Sequence, residues 1–145
     1  MSVVESMLGL QWLIGLLSAD STLASLAPGG VWRGEADPGV ATPAVIVAYQ
    51  AGRDSLTVTG VRPLVTALFQ CKAAGPANNT AAVVQAASQI DALLGGNSGL
   101  RNQSTPGGFI GSCYRDGSIV QDLLVVGEKW FVCGGMYSLQ VSQTS

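Results

Sequence analysis

The order in which helical and strand-like patterns follow one another is the feature that most constrains this fold. Apolar residues recur at helical spacing over 3–18 and again over 81–94. Most segments between these two, and after the second, alternate in polarity from one residue to the next, as in strands with one buried face. The segment 44–50 is apolar on both faces, which predicts a central strand covered on both sides. Because helices and strands are grouped in this way, the sequence predicts an α+β fold, with a mainly antiparallel sheet and two main helices packed on one face.

The strands are predicted in two groups. The first group comprises 31–33, 44–50, 56–59 and 65–71, and the second is a meander of 109–115, 119–126 and 129–141. The turns of the meander are predicted at Asp116-Gly117 and Gly127-Glu128, since both pairs suit positive φ angles. The adjacent glycines Gly134 and Gly135 predict a bulge in the last strand.

Two short features complete the expected architecture. A helical turn through Leu23 and Leu26 is predicted after the first helix, capped by Asp20 or Ser21. The segments 34–43 and 95–108 are rich in Gly and Pro and are predicted to be mobile loops. A length of 145 residues suits one domain spanning 1–145.

Composition argues against most enzymatic and metal chemistry. The chain contains no histidine, which removes the commonest general base and a common metal ligand. Its three cysteines, Cys71, Cys113 and Cys133, are widely spaced and are predicted to be buried structural thiols in a reducing compartment. No phosphate-binding glycine motif is present. The sequence therefore predicts no catalytic residues, no metal site and no cofactor.

Charge argues against nucleic-acid and membrane surfaces as binding partners. Seven Lys and Arg face nine Asp and Glu, giving a net charge of -2, so a basic patch that grips phosphate is not expected. The apolar stretch 8–17 is too short to span a membrane, and no positive charge precedes it as in a signal peptide. A cytosolic product with a weakly charged surface is expected, which suits contact with other subunits.

A cluster of charges marks one candidate interface. Arg53, Asp54 and Arg62 lie within ten positions at the predicted boundary between the middle strands. Two interpretations remain open at this stage: a solvated hairpin end, or a surface that contacts a neighbouring subunit.

A second group of candidates lies around the first glycine-rich segment. Glu35 and Asp37 form the closest carboxylate pair, but without further acids nearby they are expected to be solvated. Trp32 beside this segment is either a core residue or an interface anchor.

The order of these signals resembles the tail terminator, or tail completion, proteins of long-tailed bacteriophages. The residues that carry the resemblance are a helix running into the segment LLSADSTLASL at 16–26, then Gly30-Val31-Trp32, an acidic Pro/Gly loop, and the strand TPAVIV at 42–47. The later strand 64–71, the Ala-rich helix 81–94 and the closing strands 109–141 follow in the same order. The resemblance covers nearly all of the chain and rests on order and pattern.

The resemblance implies a structural role in a virion. Such proteins form a ring, commonly of six subunits, that caps the tail tube, ends its polymerisation and joins the tail to the head. The implied partners are other copies of the chain, the tail tube protein and a head-completion or neck protein. DNA would pass through the ring without sequence-specific binding, and assembly would occur in the bacterial host cytoplasm. The alternatives are another neck or minor tail protein, or a small-molecule-binding α+β domain.

Overall fold

The computed structural model describes residues 2–37, 39–55 and 64–143. Its helices are α1 (Ser2–Ser18), α2 (Ser21–Leu26) and α3 (Thr80–Leu93), and a 3-10 turn (Ala77–Asn79) precedes α3. Its strands are β1 (Val31–Arg33), β2 (Ala44–Ser55), β3 (Leu64–Pro76), β4 (Leu100–Thr105), β5 (Gly108–Val125) and β6 (Glu128–Gln143).

The strands form one curled six-stranded sheet in the order β1-β2-β3-β6-β5-β4. Only β1 and β2 are parallel, with Val31 opposite Val45. The other neighbours are antiparallel, and the long strands β3, β5 and β6 lie side by side at its centre. The fold is therefore α+β with a mainly antiparallel sheet, as the sequence predicts.

The core lies between the helices and one face of this sheet. α1 buries Leu10, Leu13 and Leu17, and α3 buries Val83, Ala86 and Ile90, both at helical spacing. The sheet contributes alternate residues of its central strands, including Phe69 and Cys71 of β3 and Leu139 and Val141 of β6. Both predicted long helices and their packing on one face are confirmed.

The short helix α2 begins where a side chain satisfies its first amide groups. Asp20 has an extended backbone, and its Oδ2 accepts a hydrogen bond from the Leu23 amide at 2.8 Å. The same oxygen accepts a second bond from Gln89 Nε2 of α3 at 3.1 Å. Of the two caps that the sequence allows, the structure uses Asp20, which also ties α2 to α3.

The predicted turn at Asp116-Gly117 is wrong. β5 continues through these residues to Val125, and its register against β6 shifts between Arg115 and Gly117. Asp116 is thus an extra residue on β5, so the Asp-Gly pair makes a bulge rather than a turn. The predicted bulge at Gly134-Gly135 is also wrong, because both glycines keep regular pairing with β3 and the irregularity lies on the opposite strand.

The structure also corrects the second predicted loop. Residues 100–105 form β4, which pairs with the first part of β5 as an edge strand. Its sequence, LRNQST, has one apolar residue, and backbone pairing rather than side-chain burial holds it to the sheet. The first predicted loop, 34–43, contains neither helix nor strand in its described residues. The predicted strand 56–59 lies outside the described residues.

The second turn of the meander is close to its predicted place. β5 and β6 are joined by a hairpin turn at Val126 and Gly127, which have φ angles of 48° and 79°. The described part of the chain includes no helix with the length and hydropathy needed to cross a membrane.

Candidate interface sites

Trp32 lies half-buried on β1, where its backbone is in register with Ile46 of β2. Its indole Nε1 donates a hydrogen bond to the Gly29 carbonyl at 2.7 Å. This bond holds the turn that leads from α2 into β1 and uses the only polar group of the side chain. Trp32 therefore has a local structural role, and its exposed part remains available for an interface.

Glu35 and Asp37 follow β1 directly, and both side chains are exposed. The Glu35 amide donates to the Arg33 carbonyl at 2.9 Å, which makes a tight turn directly after β1. Neither carboxylate forms an ion pair with another residue that the structure describes. This arrangement agrees with the predicted solvated carboxylate pair.

The charged cluster lies elsewhere in the fold. Arg53 and Asp54 belong to β2, where they face Thr66 and Val65 of β3 in the register, whereas Arg62 lies outside the described residues. β1 reaches β2 only as far as Val47, six residues before Arg53. At the usual rise of a strand this separation is about 20 Å. The five candidate residues that the structure describes thus form two separate groups, and the structure does not bring them into one site.

The cysteines have the environment of structural thiols. Cys71 and Cys113 are fully buried and Cys133 is partly buried, and all three are free thiols. Burial raises the pKa of Cys113 to about 12. Burial, reinforced by the neighbouring Cys113, also raises the pKa of Cys71, and burial raises that of Cys133. A nucleophilic cysteine needs the opposite shift, so these thiols are poorly suited to covalent catalysis.

A polar contact links α3 to the sheet. The sequence contains no signal that predicts this contact. The hydroxyl of Tyr137, a buried residue of β6, donates a hydrogen bond to Asp91 Oδ1 of α3 at 2.9 Å. Burial and this bond raise the pKa of Tyr137, so the hydroxyl keeps its proton. Arg115 Nη1 lies 3.9 Å from the same carboxylate oxygen and is half-exposed, so it adds little stability. Tyr137 anchors α3, and the arrangement is structural.

Several surface cavities lie among the described residues. A cavity of about 490 Å³ is lined by Arg101, Cys113 and Gln140 among others, and one of about 580 Å³ by Glu128 and Lys129 among others. Burial raises the pKa of Cys113, so the thiol in the first cavity keeps its proton. Within the described ranges, no three His, Cys, Asp or Glu side chains are grouped as a metal ion requires.

The most exposed apolar residues lie on the hairpin of β5 and β6. Val120 is 70% exposed, Leu124 is 72% exposed and Val126 is 98% exposed, and Leu123 is exposed beside them. We call these four residues the hairpin tip. The sequence carries a signal for it, because the apolar run 123–126 ends directly at the turn glycine Gly127. The same run belongs to the predicted strand 119–126, and a run of apolar residues is equally typical of a buried strand.

Comparison with known proteins identifies solved structures with a similar fold. No family model and no curated protein matches the sequence. One chain of the virion of a native gene transfer agent particle has the same fold. The two superpose with a TM-score of 0.63 over 90% of this chain and 91% of that chain, at 17% sequence identity. A second solved structure, of a protein for which no activity is named, gives a TM-score of 0.52 over 90% and 95% of the two chains, at 16% identity.

Proposed function

We propose that this protein is a structural component of a phage-type virion, and within it the tail terminator. In this role it forms a ring, of six subunits, that caps the tail tube, ends its polymerisation and joins tail to head. It acts without catalysis and without a cofactor. Its partners are other copies of itself, the tail tube protein and a head-completion or neck protein, and DNA passes through the ring.

One observation carries the proposal. About nine-tenths of this chain shares its fold with about nine-tenths of a chain of a gene transfer agent virion. Two properties of the molecule are consistent with an assembly role. The buried thiols are protonated rather than activated, and large apolar side chains project from the surface of a chain with only 11% charged residues. The resemblance in the order of sequence elements supports the terminator within this class.

The deciding experiment is deletion of the gene from the virus that carries it. Without a terminator the tail tube continues to polymerise, so we expect tails much longer than normal and no infectious particles. Electron microscopy of the lysate measures the tail length. Supplying the protein from a plasmid restores normal tails. Tails of normal length that fail to join heads would instead identify another neck protein, and normal particles would exclude both roles.

The cluster of Arg53, Asp54 and Arg62 provides a second prediction. If this cluster is a docking surface, the double variant Arg53→Glu and Arg62→Glu is expected to fold normally, because substitutions at exposed positions usually change stability by less than about 0.5 kcal/mol. It is expected to weaken ring formation or tube capping, because opposite charge at a docking surface disturbs both encounter and register. Native mass spectrometry and tail-length measurement check these outcomes.

The matched control is Arg53→Lys with Arg62→Lys, which keeps both positive charges and is expected to leave assembly intact. Unchanged tail length and head joining in the Glu variant would show that the cluster is an ordinary solvated strand end.

A further inference from the structure

We infer that the hairpin tip of one copy docks into the apolar cavity between α1, α2 and β1 of the next copy. This inference rests on the proposed ring and names the surfaces that close it. The tip comprises Val120, Leu123, Leu124 and Val126, and the cavity is lined by Leu17, Leu23, Ala24, Ala27 and Val31 among others.

The tip has the form of a projecting apolar knob. Val126 stands at the turn with 98% of its surface exposed, and Leu124 is 72% exposed two residues before it. Val120 is 70% exposed on the same face of β5 as Leu124, with Asp122 between them, and Leu123 is exposed on the opposite face. Exposed apolar side chains grouped at a turn are commonly an interaction site. No charged side chain separates Leu123 from Val126 along the chain.

The backbone at Val126 gives a second, independent reason for a role in binding. Its φ of 48° lies in the left-handed region, where a β-branched side chain is strained and where Asn, Asp or Gly is preferred. Because the side chain of Val126 is fully exposed, packing within the monomer does not offset this strain. A valine at this position is therefore unfavourable for the isolated chain, and its burial by a neighbour would supply the missing contacts.

The cavity has a size and character that suit such a knob. It encloses about 170 Å³ and opens to the surface beside β1. Leu17 and Leu23 form its buried apolar floor, and no charged residue lines it. An apolar cavity of about 150 Å³ accommodates a group of benzene size, so this one has room for a leucine or valine side chain.

The occupant is a second copy because the knob and the cavity lie on strands that are far apart in one sheet. β5 lies four positions from β1 in the strand order, about 19 Å away at the usual spacing between strands, so the knob does not fill the cavity of its own chain. When one end of a subunit binds the other end of the next, the contact is heterologous and repeats in the same sense, as a ring requires.

The remaining interface area is available next to the tip. β4 pairs with β5 only from Gly108 to Cys113, so residues 114–125 of β5 pair with β6 alone among the strands that the structure describes. Their open edge can accept backbone hydrogen bonds from a neighbour. A stable interface buries about 800 Å² on each partner, which is more than the tip alone provides, so this edge would contribute to the remainder.

The substitution Val126→Asn separates docking from folding. It relieves the backbone strain, so we expect the melting temperature of the isolated monomer to rise by about 3 °C. It also removes the apolar knob, so we expect self-association at least tenfold weaker by analytical ultracentrifugation. If Val126 had no role in association, its replacement would raise the melting temperature without weakening self-association. Association equal to that of the parent protein would contradict the inference.

Filling the cavity tests the other half of the contact. Ala24 lines the cavity and is exposed on α2, so Ala24→Phe is expected to fold and to weaken association at least tenfold by occupying the space for the knob. Ser25→Phe is the matched control, because Ser25 is the next exposed residue of α2 and does not line the cavity. Equal association of both variants would contradict docking at this cavity.

A disulfide between copies checks the pairing directly. Leu124→Cys and Ala24→Cys are prepared as separate proteins in a Cys133→Ser background, mixed at high concentration and oxidised. A 124–24 crosslink is expected only in the mixture. A 124–124 crosslink would indicate symmetric tip-to-tip contact, and no crosslink would exclude the proposed docking. Rings that form without the 124–24 crosslink would overturn this inference alone, whereas the tail-length experiment judges the proposed function separately.

Discussion

Replacing Gly134 with Ala is expected to destabilise the protein by about 3 kcal/mol or more. Gly134 lies on β6 opposite Lys72, where the curled sheet brings the backbone of β3 unusually close. A Cβ atom at this position would overlap the Cys71 carbonyl oxygen and the Lys72 Cα. Both are backbone atoms of the central sheet, so relief requires a shift of β3 itself rather than rotation of a side chain. Urea denaturation of the purified variant measures the loss.

The control is Gly15→Ala on α1. Gly15 is exposed, and a Cβ atom there would have no neighbour within 4 Å. Because alanine is the better helix former, this variant is expected to gain about 0.5–1 kcal/mol. The same chemical change therefore has opposite signs at the two glycines. A Gly134→Ala variant as stable as the parent protein would contradict the close approach of the β3 and β6 backbones at this position.

The free energy of unfolding is expected to fall above pH 9 because of the buried thiols. Burial raises the pKa of Cys71 and brings that of Cys113 to about 12 in the folded protein, well above the ordinary range of a thiol. Above pH 9 the unfolded chain has lost these protons while the folded chain retains them, so rising pH favours unfolding. Each thiol contributes up to about 1.4 kcal/mol per pH unit, and the pair about 2 kcal/mol between pH 9 and pH 10. Below pH 9 the thiols keep their protons in both states, so their full contribution to the free energy of unfolding is present.

Denaturant titrations at pH 7, 9 and 10 measure this loss, and a variant with Cys71→Ala and Cys113→Ala is the control. The variant is expected to be less stable at pH 7, because two core side chains are shortened, but to show a flatter profile from pH 9 to pH 10. Tyr137, whose pKa is also raised, begins to contribute as the pH approaches 10. It does so in the parent protein and in the variant, so the difference between the two profiles isolates the two thiols. A variant that folds at pH 7 but fails to support infectious particles would contradict a purely structural role for the cysteines.

The existence and type of most elements followed from local patterns. The helices α1 and α3 show apolar spacing at i, i+3 and i+7 that persists for three turns or more, and Asp20 offers a side-chain cap at the start of α2. Alternation along β3 and β6 placed Phe69, Cys71 and Leu139 on the buried face. These features depend on residues close together in the chain, so the sequence alone predicts them.

The bulge at Asp116 and the strand at 100–105 depend on partners distant in the chain. An Asp-Gly pair can form a turn or a bulge, and only the length of β6 opposite it favours one continuous strand. β4 has a polar sequence and becomes a strand because β5 presents an open edge to it.

For the candidate interfaces, the sequence determined which residues are charged or aromatic, and tertiary structure decided which of them meet. Trp32, Glu35 and Asp37 lie near β1, while Arg53 and Asp54 lie along β2 about 20 Å away. The exposed hairpin tip corresponds to an apolar run in the sequence, and a buried strand shows the same pattern. The helices pack on another part of the sheet, so Leu124 and Val126 remain exposed to solvent. The sequence does not determine this, because the burial of a residue depends on which neighbours the fold brings to it.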